Sequence, residues 1–166
     1  MRSLTLFIAL LACSVAPAWS KEAKAVYTPE EEALYSDMRE LQYEIGEGKR
    51  AFVEEQLVLT AEQAARFWPV YDAHQQALSV LNKRRLDNIL AYARDWNNDA
   101  LDDAEANRLA KEALDIEKDE AVLMERTYGK LKSAVPALKA VRYLQVEAKL
   151  RAIVRFEQAA TVPLAM

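Results

Sequence analysis

The longest regular pattern in the chain runs from residue 60 to residue 97, with the sequence TAEQAARFWPVYDAHQQALSVLNKRRLDNILAYARDWN. Apolar and aromatic side chains recur in it at intervals of three or four residues, which places them along one side of an α-helix. The stripe consists of Phe67, Tyr71, His74, Leu78, Leu81, Ile89, Tyr92 and Trp96. The spacing predicts a long helix over 61–96 that buries this side against other helices.

Two features predict how this helix begins and how it bends. The Thr60 hydroxyl is placed to cap the following turn while Gln63 reaches back, which is a capping box. Pro69 lies two turns into the helix and has no N–H to donate to the carbonyl of Ala65. We therefore expect the helix to begin at residue 61 and to kink near Pro69.

A shorter pattern predicts a first helix over 29–56. Thr28 and Glu31 form a second capping box, and the proline after Thr28 occupies the first helical position, which proline favours. The apolar side of this helix consists of Leu34, Met38, Leu41, Ile45 and Phe52. Gly46 and Gly48 interrupt the pattern, each at a cost of about 1 kcal/mol relative to alanine, yet we expect one helix up to residue 56.

Two further helices complete the chain. The third is predicted over 103–133 and begins with a third capping box, in which Asp102 caps the helix and Glu105, three residues on, reaches back. The fourth is predicted over 136–160, with Pro136 in its first turn. No stretch alternates polar and apolar residues for long enough to predict a strand. The pattern therefore predicts an all-α chain of four helices.

The first twenty residues have the pattern of a secretory signal peptide. A basic residue precedes an apolar run, residues 4–12, which is shorter than the roughly 20 residues that a membrane helix needs. Ala18 and Ser20 form a small-x-small cleavage site, so we expect residues 1–20 to be removed and residues 21–166 to form one exported helical domain. No later stretch is apolar enough to predict a membrane span.

A second processing route stays open. Residues 10–13, Leu-Leu-Ala-Cys, are similar to the lipobox that precedes a lipidated bacterial cysteine, and this route would anchor the protein at Cys13. Under the first route Cys13, the only cysteine in the chain, is removed with the signal peptide. Disulfides, cysteine-bound zinc and thiol catalysis are then excluded together.

Residue types that carry out catalysis or bind metals are scarce in this chain. His74 is the only histidine, and its place on the apolar stripe favours a hydrogen-bonded core or interface residue over a ligand or base. The sequence has no HExxH motif, no glycine-rich phosphate loop and no nucleophile elbow. The net charge of −4 argues against nucleic acid as a partner. We expect neither catalysis nor a bound metal or cofactor.

Charge is unevenly distributed along the second half of the chain. Residues 95–125 contain eleven acidic side chains against three basic ones. Residues 130–156 contain seven basic side chains against one acidic one, Glu147. Because blocks of one sign attract the opposite sign, the basic block predicts acidic partners.

The fourth helix is apolar on two sides. One stripe consists of Leu138, Val141, Leu144, Ala148, Ala152 and Phe156, and the other of Tyr143, Val146, Leu150, Ile153 and Val154. A helix on the outside of a small bundle needs only one such stripe, so the helix is either enclosed within the monomer or meets a partner with its second stripe. The predicted protein-binding surface consists of Arg142, Tyr143, Val146, Lys149, Leu150, Arg151, Ile153, Val154 and Arg155.

Residues 59–63, Leu-Thr-Ala-Glu-Gln, match the LTxxQ motif of the Spy and CpxP family of periplasmic helical proteins. Leu59, Thr60 and Gln63 are the motif positions. Leu101, Asp102 and Glu105 resemble a degenerate second copy at the start of the third helix. With the signal peptide and the four predicted helices, the chain resembles this family over most of its length.

The resemblance implies an elongated, curved bundle of helical hairpins that pairs into a cradle-shaped homodimer in the periplasm. Members of the family act as ATP-independent chaperones for unfolded clients, or as inhibitors of an envelope-stress sensor kinase. The chain departs from the small chaperone members in its longer fourth helix, in the Phe67-Trp68-Pro69 cluster and in its acidic net charge.

Three functions follow from these observations. The first is a chaperone-like or stress-associated protein that holds clients on the apolar and basic surface of the fourth helix. The second is a regulatory partner of a membrane stress sensor. The third is a structural homodimer in which the second stripe is only the seam between subunits.

Overall fold

The computed structural model describes residues 48–162 and the single positions 29 and 164. The elements are helix α1, described over residues 48–57, α2 (Ala61–Asn97), α3 (Asp103–Ala134) and α4 (Ala137–Thr161). The described chain is thus helical and without strands, which confirms the predicted all-α class for this part of the protein. The predicted signal peptide, Cys13 and the predicted cap at Thr28 lie outside the described residues.

The start of α2 is set by the capping box predicted at Thr60. The Thr60 hydroxyl accepts a hydrogen bond of 3.3 Å from the backbone N–H of Gln63, and the Gln63 side chain accepts one of 3.2 Å from the Thr60 N–H. These bonds satisfy two backbone donors that a helix N-terminus leaves without partners. Helix α2 then continues through Pro69 to Asn97.

The start of α3 follows the prediction only in part. The Asp102 carboxylate accepts a hydrogen bond of 2.8 Å from the Glu105 N–H, as a helix cap does. The Glu105 carboxylate, however, binds Arg108 one turn further on. The Asp102 N–H donates instead to the carbonyl of Ala100 at 3.1 Å, so the predicted reciprocal bond is not formed.

Helix α3 contacts both of the helices next to it in the chain. Helix α2 packs along α3, and the end of α3 packs against α4. Val135 has extended backbone geometry and is buried, and Pro136 is the residue before the first turn of α4. Because proline disfavours helical geometry in the residue that precedes it, Val135 ends α3 at this point.

The main apolar core lies where α1, the start of α2, the end of α3 and the start of α4 meet. Its members are Val53, Leu57, Phe67, Tyr71, Leu131, Ala134, Val135, Ala140, Tyr143 and Val146. The rings of Phe67 and Tyr143 pack edge to face, with centroids 5.4 Å apart. Full burial of a large side chain stabilises a fold by about 1.5–3 kcal/mol, so this cluster holds the four segments together.

The buried side of α1 differs from the predicted one. Phe52 is 40% exposed, whereas Val53 and Leu57 are completely buried. The prediction continued the apolar spacing of residues 34–45 through Gly46 and Gly48 and therefore placed Phe52 on the buried side. The buried residue is its neighbour, Val53. Val53 and Leu57, four residues apart, lie on one side of the helix with Lys49.

None of the described helices carries an apolar run long enough to cross a lipid bilayer.

Candidate functional site

Helix α4 has apolar side chains on two opposite sides, and one of these sides faces the core. Tyr143 and Val146 belong to the core cluster, and Leu150 packs against it partly buried. Val154 is partly buried further along the same side. The prediction that Tyr143 and Val146 face a partner is therefore wrong, because the subunit itself covers them.

The opposite side of α4, which we call the outer face, consists of Leu138, Val141, Ala148, Ala152 and Phe156. Ile153, which was predicted on the stripe of Tyr143, is exposed beside this face. Leu138 is 84% exposed, Val141 38%, Ile153 54% and Phe156 72%. Ala148 and Ala152 are exposed between them. The spacings place Leu138, Val141, Ala148, Ala152 and Phe156 on one side of the helix. The exposed Gln145 lies on the same side, so α4 carries an exposed, mainly apolar strip of about five turns that this amide interrupts.

The basic residues of α4 divide between the two sides. Arg142 and Lys149 are exposed and lie seven residues apart, which puts them on one edge of the outer face. The Arg142 guanidinium donates to the backbone carbonyl of Gln56 at 3.1 Å, and Lys149 makes no ion pair within residues 48–162. Arg151 and Arg155 point towards α3 and are partly buried.

A first group of buried polar side chains surrounds the Glu147 carboxylate. Lys49 donates to its Oε2 at 2.8 Å and Gln75 to its Oε1 at 2.9 Å. Gln75 also donates to the hydroxyl of Tyr143 at 3.2 Å. These bonds join α1, α2 and α4 next to the apolar core, and they satisfy a carboxylate that would be costly to bury alone.

His74 adjoins this group and is hydrogen-bonded to Thr127. The hydroxyl oxygen of Thr127 lies 2.9 Å from Nδ1 of His74 and 2.8 Å from the carbonyl oxygen of Leu123. The Nε2 atom of His74 lies 3.9 Å from Oε2 of Glu147 and has no hydrogen-bond partner in the described part of the chain. Burial lowers the pKa of His74 below its ordinary value, against the opposing effect of the Glu147 carboxylate.

A second group surrounds the buried carboxylate of Glu120 on α3. Arg85 of α2 donates to it at 2.6 Å, and Arg151 and Arg155 of α4 each donate at 3.0 Å. Arg85 and Arg155 also bind Glu117. Burial alone would raise the pKa of Glu120, but the hydrogen bonds and charges of Arg85 and Arg151 outweigh it and hold the pKa below its ordinary value.

A cavity of about 260 Å³ lies between the two groups, bounded by α2, α3 and α4. Its charged lining consists of Lys49, Arg85, Glu120, Glu147, Arg151 and Arg155. His74 and Gln75 also line it, and Leu78, Met124, Leu150 and Val154 form its apolar wall. A small space with converging polar groups and an apolar wall has the form of a ligand pocket.

The uneven charge of the sequence is partly balanced inside the chain. Glu112 and Asp119 of the acidic block bind Arg84, and Glu117 and Glu120 bind arginines of both α2 and α4. The basic block is therefore only partly available to partners. Its exposed representatives next to the outer face are Arg142 and Lys149.

The residues that resemble the LTxxQ motif lie apart from both the outer face and the cavity. Thr60 and Gln63 cap α2, and Asp102 caps α3. Leu59 is partly buried against the main core, and Leu101 is partly buried before α3. Their visible role is to begin helices.

Sequence reasoning missed the buried polar residues Lys49, Glu120, Thr127 and Glu147. Helical spacing could have identified three of them as buried. Glu120 and Thr127 lie on the same side of the helix as Ile116 and Leu131, and Glu147 follows Tyr143 by four residues. A charged residue on an apolar side needs a partner when it is buried, but spacing does not say which one. The partner of Glu147 is 98 residues away.

In the described part of the chain, no three histidine, cysteine or carboxylate side chains are grouped so as to hold a metal ion. Comparison of the whole chain with family models, curated proteins and solved structures finds no match.

Proposed function

We propose that this protein is a non-enzymatic, exported binding protein that holds apolar segments of other proteins on the outer face of α4. The observation that carries this proposal is the strip of large, exposed apolar side chains from Leu138 to Phe156. An exposed apolar strip of this kind typically marks a contact with another protein. Holding a segment in this way requires no ATP and no bound cofactor.

The edge of the outer face indicates the charge of the partner. Arg142 and Lys149 are exposed beside the strip, and Glu117 of α3 is bound to Arg85 and Arg155. Charges at the rim of a contact speed encounter with partners of opposite sign. The proposed client is therefore an unfolded or amphipathic segment that carries acidic side chains next to apolar ones.

The resemblance to the Spy and CpxP family supports the same function and suggests the compartment. A chaperone-like or envelope-stress role in the periplasm agrees with the predicted signal peptide and with the LTxxQ-type sequence at residues 59–63. We further propose the family's architecture, an elongated and curved bundle of helical hairpins that forms a homodimer. Pro69 supports a bend in α2, since it cannot bond the carbonyl of Ala65.

Suppression of aggregation tests the proposal. A permanently unfolded, acidic model protein is mixed with the purified chain at low salt, and light scattering is followed. Replacing Leu138 and Phe156 together by aspartate should weaken client binding about 100-fold, since two apolar contacts are lost and charge is added. The fold should be unaffected because both side chains are exposed.

A matched control replaces Val80 and Leu114 together by aspartate. These side chains are 59% and 70% exposed and lie on α2 and α3, so the change in charge and apolarity is the same. The control should suppress aggregation as the wild type does. Equal activity of both double variants, or no suppression by the wild type, would contradict the proposal.

The same variants distinguish the other two functions. If the outer face is only a homodimer seam, the Leu138 and Phe156 variant will sediment as a monomer and the wild type will not bind clients. If the protein regulates a membrane sensor, the wild type will capture one membrane protein stoichiometrically and will leave the aggregation of general clients unchanged.

A further inference from the structure

The cavity between α2, α3 and α4 has an apolar wall to which all three helices contribute. Leu78 comes from α2, Met124 from α3, and Leu150 and Val154 from α4, and all four side chains are partly buried. Protein interiors contain few spaces larger than a water molecule, because side chains pack as closely as molecules in organic crystals. This cavity of about 260 Å³ exceeds an engineered apolar cavity of about 150 Å³ that binds benzene. It has room for about ten non-hydrogen atoms.

The charges around the cavity leave one positive charge unbalanced. Four cationic side chains and two carboxylates line it: Lys49, Arg85, Arg151 and Arg155 against Glu120 and Glu147. Glu117 lies outside the lining and binds Arg85 and Arg155, which brings the balance to four against three. A monoanion in the cavity balances this excess, whereas a dianion adds a second negative charge beside two buried carboxylates.

Arg151 supplies accessible donors at this cavity. One of its terminal nitrogens donates to Glu120 at 3.0 Å, and its other nitrogens make no hydrogen bond within residues 48–162. The side chain is 31% exposed, and these nitrogens are not sealed from solvent as Nε of Arg155 is. A guanidinium binds a carboxylate well, because the charge strengthens the hydrogen bond. The exposed Ser79 is also part of the lining, so the cavity reaches the surface of α2.

We propose that this cavity binds an amphipathic monocarboxylate with an unbranched alkyl chain of about six to eight carbon atoms. The carboxylate of the ligand pairs with Arg151, and its chain lies along Leu78, Met124 and the apolar side chains of α4. Burial of the chain drives binding, and the volume of the cavity limits its length. The site is separate from the outer face of α4, and the proposal does not depend on the protein-binding function.

Nuclear magnetic resonance of the methionine methyl groups tests the proposal directly. Met124 lines the cavity, and its signal among those of the four methionines is identified with the variant Met124→Leu. The probes are octanoate, hexanoate, octanol and octylammonium at equal ionic strength and pH 7.5. We expect octanoate to shift the Met124 signal saturably, with a Kd of about 0.1 mM for a ligand of this size.

The three other probes separate the contributions of the chain and of the charge. Hexanoate lacks two methylenes and should bind about fifteenfold more weakly, because each buried methylene contributes a factor of about four. Octanol keeps the chain but has no carboxylate, so it should bind about tenfold more weakly. Octylammonium should not bind measurably, because its charge adds to the positive excess of the cavity.

Two variants that remove the same charge separate this site from a general effect of charge. Arg151→Gln should weaken octanoate binding about tenfold, since it removes the donor of the cavity. Glu120 keeps Arg85 and Arg155 as partners in this variant, so the fold should be retained. Arg126→Gln, on the exposed side of α3 and outside the lining, should change octanoate binding less than about twofold.

A cavity-filling variant tests the site without removing a charge. Leu78→Phe enlarges a side chain of the wall and should weaken octanoate binding about tenfold or more, with urea unfolding as the check that the variant is folded. The double aspartate variant of Leu138 and Phe156 should bind octanoate as the wild type does. Failure of the protein-binding proposal therefore leaves this one intact.

Several results would overturn the proposal. They are the absence of a saturable shift of the Met124 signal with octanoate, equal affinity for octanoate and octanol, or binding of octylammonium. Equal weakening by Arg151→Gln and Arg126→Gln would do the same, as would unchanged octanoate binding by folded Leu78→Phe. Loss of octanoate binding in the variant of Leu138 and Phe156 would place the ligand on the outer face instead of in the cavity.

Discussion

The ammonium of Lys49 donates a hydrogen bond of 2.8 Å to the carboxylate of Glu147, and both side chains are more than nine-tenths buried. The pair joins α1 to α4 across 98 residues of sequence. The pair lies next to the apolar core on the same side of α4 as Tyr143 and lines the cavity.

Breaking this pair on one side should be costly. Lys49→Met leaves the buried Glu147 carboxylate without its counter-charge, and we expect it to reduce the free energy of unfolding by about 3 kcal/mol. Adding Glu147→Gln should restore most of the loss, because the amide keeps a hydrogen bond with Gln75 and carries no charge. Urea unfolding of the single and double variants measures both effects. Equal stability of Lys49→Met and the wild type would show that the pair is not buried in solution.

The buried imidazole of His74 should make stability depend on pH. Burial lowers its pKa below the ordinary 6.5, and the charged groups that act on it are Lys49, Glu120, Glu147 and Arg151. The unfolded chain therefore binds a proton that the folded chain does not. The stability that the neutral imidazole contributes is fully present above about pH 6.5. It is lost as the pH falls through the lower pKa of the folded state.

Urea unfolding between pH 7.5 and pH 5 checks this prediction. For one proton, the slope is at most about 1.4 kcal/mol per pH unit. His74→Asn keeps a donor for Thr127 and has no group that titrates in this range. It should therefore remove most of the dependence of the free energy of unfolding on pH. If the variant showed the same dependence as the wild type, His74 would not be the group responsible.

The backbone of Val58 is strained, and relieving it should stabilise the protein. Val58 has a φ of 46° after the end of α1, a geometry that β-branched residues rarely adopt. Its side chain is exposed, so nothing is lost from the core. Val58→Gly should raise the free energy of unfolding by about 1 kcal/mol.

The matched control is Val80→Gly on the exposed side of α2. Glycine inside a regular helix should lower the free energy of unfolding by about 0.5 kcal/mol. The two substitutions are chemically identical, yet thermal or urea unfolding should show changes of opposite sign in the free energy of unfolding. A loss of stability from both would show that Val58 does not hold this geometry.

The two sides of α4 should respond differently to truncation. Tyr143 is fully buried among Phe67, Tyr71 and His74, so Tyr143→Ala should cost about 3 kcal/mol or more. Phe156 is 72% exposed, and Phe156→Ala should change the free energy of unfolding by less than about 0.5 kcal/mol. Chemical unfolding of both variants distinguishes them. A larger loss from Phe156→Ala would mean that the sides are assigned the wrong way round.

Helix boundaries were largely predictable because they depend on local chemistry. The capping box at Thr60 and the cap at Asp102 involve residues within one turn, and α2 and α3 begin at Ala61 and Asp103 as predicted. Pro136 likewise marks the start of α4. Spacing along a helix therefore identifies its ends and the residues that share a side.

The orientation of α4 was not predictable in the same way. Both of its sides are apolar, and spacing does not reveal which one turns inward. Contacts far apart in sequence decide it: Lys49 with Glu147, and Glu120 with Arg151. From the sequence alone, each of these charged side chains is predicted to be exposed to solvent, since buried charges are uncommon. The cavity was missed for the same reason, because three helices build it from residues that no single segment brings together.

Site-specific cross-linking to a client tests the central claim, that the outer face of α4 is the binding surface. A photoreactive amino acid is placed in turn at Ala152 and Phe156 on this face, and at Val80 and Leu114 on α2 and α3. We expect cross-links to an unfolded acidic client from the first two positions and background levels from the other two. Equal cross-linking from all four positions, or none from α4, would contradict it.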